Sequence, residues 1–288
     1  MIPSIARSLL AVGLILLLAG CGPQSADLPG TSVTAPAEQV ELDVFAAASL
    51  TEPFTEIGRL FEADHPGVTV VFNFAGSQQL AQQINLGAPA DVFASANNIQ
   101  MDAVIEAGRI EDGSQLVFVN NRLVVIYPED NPASLSRLQD LARPGLKLVF
   151  AAPEVPVGRY SVAFLEKAAE DPAFSPNFRD DVLQNVVSYE DNVKSVLAKV
   201  TLGEADAGIV YTSDISGADA GKVGRMDIPD ALNVVATYPI APVKDTDRPE
   251  LANAFIEFVL SPEGQATLAS FGFIPVAKPA AALPLLGR

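Results

Sequence analysis

The chain has 288 residues, a formal charge of −17 at pH 7, one histidine, one cysteine and no tryptophan. So acidic a balance excludes a nucleic-acid surface, which needs a basic face. A single cysteine excludes an intrachain disulfide, and with one histidine it leaves no His/Cys cluster for a zinc centre.

At the N-terminus, Arg7 precedes an apolar run from Leu9 to Leu18. That run is too short to span a bilayer and has the pattern of an export signal. Leu18-Ala19-Gly20-Cys21 resembles a bacterial lipoprotein cleavage box. The resemblance implies that residues 1–20 are removed and that Cys21 becomes the lipid-modified first residue. An uncleaved membrane anchor is the alternative, and either arrangement holds the body outside the cytoplasm on a membrane. One acyl chain holds a protein weakly, so a stable anchor implies more than one. Residues 21–40, rich in Pro, Ser, Thr and Gly, read as a flexible tether.

The remaining body, of about 250 residues, is enough for one large or two modest domains. Strand-like and helix-like runs alternate, the pattern of a mainly parallel α/β fold. A strand over Val40–Ala47 leads to a helix over Leu50–Asp64, whose Phe54, Ile57, Leu60 and Phe61 share one face; His65-Pro66-Gly67 stops it. Next come a strand at Val68–Phe74, a helix at Gln78–Leu86 ended by Gly87, a short buried strand at Asp91–Ala94 and a helix at Ile99–Glu106. Strands at Leu116–Val119 and Leu123–Tyr127 flank the turn-like Asn120-Asn121-Arg122. A helix is expected over Leu135–Ala142, then a strand at Lys147–Ala151 and helices at Ser161–Ala169, Phe178–Gln184 and Val193–Leu202. Ala207–Tyr211 reads as a buried strand, Asp214–Pro229 as a polar loop, Leu232–Tyr238 as a strand, and Leu251–Leu260 and Gln265–Phe271 as helices.

Two places stand out along this path. In Asp43-Val44-Phe45-Ala46-Ala47-Ala48-Ser49-Leu50-Thr51 and in Phe74-Ala75-Gly76-Ser77-Gln78-Gln79-Leu80, a strand stops at small residues and a Ser stands where a helix begins. Serine is a favoured N-cap. The first amides of a helix lack internal partners and carry the positive end of its dipole, so each turn is a potential anion site. An ordinary solvent-facing cap is the alternative at either serine alone. A weak internal echo links Gly87-Ala88-Pro89-Ala90-Asp91-Val92-Phe93 to Gly203-Glu204-Ala205-Asp206-Ala207-Gly208-Ile209-Val210. It reads either as two facing lobes or as common α/β turn chemistry.

Nucleophilic catalysis by Ser49 or Ser77 needs a base. The sole histidine, His65, lies in the His65-Pro66-Gly67 turn and reads as a surface residue, which leaves both serines without an activating imidazole; no local motif supports a Ser–Lys arrangement, and no phosphate-loop sequence appears. Glu190-Asp191-Asn192 reads as a helix entry in preference to a calcium site. Tyr211 ends a buried strand, where parallel folds often bind ligands, though by itself it reads first as a core or rim aromatic.

Phe-Ala-Ala-Ala-Ser-Leu, Phe-Ala-Gly-Ser, Gly-Ala-Pro-Ala-Asp-Val-Phe-Ala-Ser-Ala, Val-Pro-Val-Gly-Arg-Tyr and Gly-Ile-Val-Tyr-Thr-Ser-Asp follow in order. In this the chain resembles the molybdate-binding proteins of bacterial ABC importers, from about residue 41 to about 276. The resemblance implies an α/β, type II periplasmic-binding-protein fold: two lobes, each a mainly parallel sheet flanked by helices, closing on a bare tetrahedral oxyanion. Lobe one would comprise residues 41–122 with 240–288, and lobe two 123–239. It implies five ligand residues: Ser49 and Ser77 through hydroxyl and amide, Val157 and Val193 through backbone amides, and Tyr211 through its hydroxyl. Gly76 departs from the family's common Ala-Ser-Ser segment and removes one possible hydroxyl.

All five implied donors are neutral, and none is an acceptor carboxylate. Phosphate near neutral pH keeps a proton and wants an acceptor; molybdate, tungstate and sulfate need only donors. The expected function is therefore that of a lipid-anchored binding protein, not an enzyme, that has molybdate or tungstate as ligand and no cofactor. It would act as a monomer, deliver to an ABC permease and bind no nucleic acid. Sulfate or thiosulfate as ligand, an extracytoplasmic serine hydrolase, and an anchored sensor without a transporter are the alternatives.

Overall fold

The computed structural model describes residues 39–216 and 221–276; Cys21, the expected signal and the expected tether up to residue 38 lie outside them, and Val40, the tether's last residue, begins the first strand. From β1 (Val40–Ala47) the chain passes through a 3-10 turn at Ala48–Leu50 into α1 (Thr51–Asp64), then β2 (Val68–Ala75), α2 (Ser77–Asn85), β3 (Val92–Ala94) and α3 (Asn98–Glu106). β4 (Leu116–Pro128) is followed by a 3-10 turn at Leu138–Ala142, β5 (Leu148–Ala151), α4 (Pro156–Glu170), α5 (Phe178–Gln184), β6 (Val186–Glu190) and α6 (Val193–Thr201). β7 (Ala207–Tyr211), a 3-10 turn at Thr212–Ile215, β8 (Val223–Asp227), β9 (Val235–Pro242), α7 (Pro249–Leu260), α8 (Pro262–Ser270) and β10 (Ile274–Pro275) complete it.

The architecture is α/β with two lobes. In the first sheet β1 lies between β2 and β3, parallel to both, and β9 runs antiparallel to β3. In the second, β5 lies between β6 and β7, parallel to both. β4 belongs to both sheets: its residues up to Arg122 pair with β9, and from Leu123 onward it pairs with β7 and β8. Helices cover both faces of the first sheet. On one face α1 and α7 interlock through Phe54, Phe61 and Phe255, with the last two rings edge-on at 5.3 Å. On the other, Leu80, Ile84, Met101 and Val104 of α2 and α3 bury Phe45 and Phe93. These apolar residues recur three or four apart along the helices and alternate along the strands, so burial fixes both elements at once.

β6 has no counterpart among the expected elements, β9 lies three to four residues beyond the strand expected over Leu232–Tyr238, and four more expected elements differ. The two strands around Asn120-Asn121-Arg122 are one strand, β4, because pairing to β9 runs straight through Asn120↔Thr237, Asn121↔Ala236 and Arg122↔Val235. Asn121 is fully buried there with its amide satisfied by neighbours, so its turn propensity is overridden. The loop expected over Asp214–Pro229 contains β8, held by pairing to β4. α4 begins at Pro156, five residues before the expected Ser161, since proline suits the first helical position. Of Leu135–Ala142 only Leu138–Ala142 is helical, as a 3-10 turn.

Candidate functional site

The carboxyl ends of β1, β2, β5, β6 and β7 open onto one place, as is usual for ligand crevices in parallel sheets. One cavity there is lined by Ser49, Ser77, Val157, Val193 and Tyr211. All five sequence-derived residues are thus brought together from both lobes, and each is almost wholly buried. No charged side chain lines the cavity. The cavity is small, about 10 Å³.

Neither serine caps its helix, contrary to expectation. Gly76 occupies the N-cap of α2 and Ser77 is the first helical residue; Ser49 sits in the 3-10 turn ahead of α1. Tertiary partners take the hydroxyls instead. Ser77 Oγ accepts the backbone N–H of Ala96 at 3.0 Å, and Ser49 Oγ lies 2.9 Å from the Tyr238 hydroxyl. Since the amide can only donate, the Ser77 proton stays free for the cavity.

Backbone donors come from helix starts. Ser77 is the first residue of α2 and Val193 the first of α6, so neither N–H has a carbonyl one turn back within its helix. Asn192 caps α6 by accepting from Ser195 N at 3.0 Å, leaving Val193 N–H uncommitted by the cap. α4 starts with Pro156, which has no N–H, so its first donor is Val157. Gly158 lets that helix start sit hard against the end of β5: a Cβ there would lie 2.1 Å from the Ala152 carbonyl oxygen.

Tyr211 Oη is buried and has no hydrogen-bond partner among the described residues. Burial pushes the hydroxyls of Tyr211 and Tyr238 well above the ordinary tyrosine value, so both remain protonated donors. A buried donor without a partner is costly unless a ligand satisfies it. Behind the site, Asp214 Oδ2 accepts the Tyr211 N–H at 3.0 Å, and its other oxygen lies 3.5 Å from Lys194 Nζ. Burial raises the Asp214 pKa to about 6, with Lys194 pulling the other way. Lys194 also reaches Glu52 at 2.8 Å, so an ion pair joins α6 to α1 across the lobes. Burial pushes the Lys194 pKa down, but Asp214 and Glu52 outweigh it and the net shift is upward.

Further bonds cross between the lobes at the cavity rim. Gln78 Nε2 donates to the Asp191 carbonyl at 2.7 Å and Gln79 Nε2 to the Asp191 carboxylate at 3.1 Å. Residues that the sequence alone did not single out, namely Ala96, Asn121, Lys194 and Tyr238, surround the five. Asn121 sat within a turn-like triplet and Tyr238 at the end of an expected strand, so only their three-dimensional partners mark them.

Residues 42–274 match the family described as bacterial extracellular solute-binding proteins. The chain belongs to that family. As a solute-binding protein it is 40% identical over 270 residues to the molybdate-binding protein ModA of Mycobacterium tuberculosis, covering 93% of this chain and 97% of the relative. It is 31% identical over 247 residues to the ModA of Escherichia coli, covering 82% and 90% respectively. Its fold is also that of the periplasmic molybdate-binding protein of Azotobacter vinelandii, with a TM-score of 0.70 at 20% identity over 82% of this solute-binding chain and 100% of the other.

Proposed function

We propose that this solute-binding protein captures molybdate or tungstate outside the cytoplasm and hands it to an ABC permease, without catalysing a reaction. The supporting observation is the chemistry of the residues that line the cavity. They bring hydroxyls on Ser49, Ser77 and Tyr211 and helix-start amides on Ser77, Val157 and Val193, with no charged side chain among them. A fully deprotonated dianion can accept from every one, while a protonated oxyanion finds no carboxylate to accept its hydrogen. The names of the relatives point the same way.

The chain's −17 charge repels an anion at long range, but salt screens distant carboxylates within about 8 Å. Hydrogen bonds to a charged oxygen contribute roughly 1.5–3 kcal/mol each, so five or more outweigh the cost of closing the lobes and reach submicromolar affinity. Residues 41–122 with 240–288 would move against 123–239, swinging about the shared β4. The protein would work as a monomer, anchored through lipid on Cys21. His65, the one imidazole, bonds the Phe61 carbonyl and stacks on the Phe61 ring, which leaves Ser49 and Ser77 without an imidazole for hydrolysis.

Calorimetric titration of the purified protein tests this reading. One-to-one binding of molybdate and tungstate, with phosphate silent and sulfate weaker, is expected. Heat from sulfate alone would move the ligand to the smaller anion, and silence from all four would reject an oxyanion site.

A further inference from the structure

Tyr238, on β9, is fully buried with its ring edge-on to Tyr211 at 5.8 Å between centroids. Its hydroxyl has two neighbours: Ser49 Oγ at 2.9 Å and Asn121 Nδ2 at a long 3.5 Å. The orientation of the Asn121 amide is fixed by the backbone N–H of Arg122, which can only donate. Asn121 Oδ1 accepts the backbone N–H of Arg122 at 2.9 Å and the Thr212 hydroxyl at 3.0 Å. Its Nδ2 therefore faces Tyr238 and also donates to Ser213 Oγ at 2.8 Å. An amide NH₂ cannot accept.

Of the two groups that hydrogen-bond the Tyr238 hydroxyl, only Ser49 Oγ can accept its proton; the Tyr211 hydroxyl, which also acts on Tyr238, makes no bond of hydrogen-bonding geometry. Were Ser49 to donate instead, a phenol hydrogen would be stranded in the core, at the full cost of an unmade bond. Ser49 therefore accepts from Tyr238, and its own hydrogen is left to the cavity. From these bonds we infer that Tyr238, backed by Asn121, is a positioning residue that fixes Ser49 as a donor and thereby selects fully deprotonated oxyanions over protonated ones. It rests on the reading of the cavity as an oxyanion site.

The relay runs Asn121 to Tyr238 to Ser49 to anion, each donor polarised by the one behind it. At Ser77 the same polarity is imposed by a backbone amide, which no side-chain change can remove. At Ser49 it depends on a side chain, so β9 and β4 jointly control selectivity without touching the ligand.

Two experiments test this. Neutron diffraction from the deuterated wild-type protein should place the Tyr238 deuteron toward Ser49 Oγ; a Ser49 deuteron directed at Tyr238 overturns the inference, whatever the protein binds. Titrations of tungstate and phosphate would then compare wild type, Tyr238→Phe, Ser49→Ala and the double variant. Tyr238→Phe should weaken tungstate roughly tenfold, lose that effect when Ser49 is already alanine, and allow millimolar phosphate to displace tungstate where wild type allows none. Equal weakening with and without Ser49, an unchanged tungstate affinity, or phosphate still excluded overturns it. Failure of wild type to bind either molybdate or tungstate is a separate result, which rejects the functional reading and leaves the neutron measurement to decide the hydrogen-bond direction.

Discussion

Gly76 meets the backbone carbonyl of Asp191 so closely that a Cβ on Gly76 would lie 2.4 Å from that oxygen. The two residues belong to opposite lobes, one at the N-cap of α2 and the other just before α6. The missing hydroxyl at this position is therefore also a missing obstacle: glycine lets the second lobe come down onto the first.

Gly76→Ser should accordingly penalise the closed form alone. Overpacking typically costs about 1–3 kcal/mol, so tungstate affinity should fall by roughly tenfold or more. The melting temperature of the ligand-free protein should barely move. Calorimetry and small-angle scattering with and without tungstate check this; a variant that binds and compacts like wild type would show that the contact carries no closing energy.

Ser77→Ala removes a hydroxyl from the lining of the cavity and also strands the Ala96 N–H it satisfies. Affinity should drop roughly ten- to hundredfold, and ligand-free stability by about 1–3 kcal/mol. Urea unfolding paired with titration separates the two losses.

Tyr211→Phe should divide the same two quantities in opposite directions. The hydroxyl is buried and unpartnered, so deleting it relieves the ligand-free protein and leaves its stability equal or up to about 1 kcal/mol higher. Binding should weaken because one donor to the anion is gone. A variant both less stable and unimpaired in binding would place the hydroxyl in the core and not in the site.

Asp214 supplies a pH dependence with a defined sign. Its carboxyl has a pKa of about 6 in the folded protein against an ordinary 3.8. Between these values the folded state holds a proton that the unfolded state has lost, so this residue adds stability as pH falls from 6 toward 4 and withdraws it as pH rises through 6. A dianion bound near Tyr211 adds negative potential and raises the Asp214 pKa further. Binding near pH 6 should therefore take up a fraction of a proton, detected as a buffer-dependent enthalpy, and Asp214→Asn should abolish it. Identical enthalpies in buffers of different ionisation heat would remove Asp214 from the coupling.

Much of the site was legible in the sequence because its main parts are local. A strand ending in Ala47-Ala48-Ser49 or Ala75-Gly76-Ser77 leaves few conformations besides a tight turn into a helix, and the apolar period of α1 or α6 locates the helix that follows. What was illegible depends on contacts across the chain. Asn121 has the composition of a turn but is held in β4 by pairing to β9 and by bonds to residues 212 and 213, some ninety positions later. The two serines look like caps and are not, because Tyr238 and Ala96 claim their oxygens. β8 has a short, charged, glycine-containing sequence and exists through its ladder with β4.

The Tyr211–Tyr238 pair has an optical consequence. The chain contains five tyrosines and no tryptophan, so its near-ultraviolet emission comes from phenol alone, with no indole to drain it. Two of those five rings stand edge-on beside the cavity, one with an unengaged hydroxyl. An arriving ion that captures that hydroxyl changes the quenching of a large share of the emitting population. On the reading of the cavity as an oxyanion site, tyrosine emission should report its occupancy, readable in a cuvette without a dye.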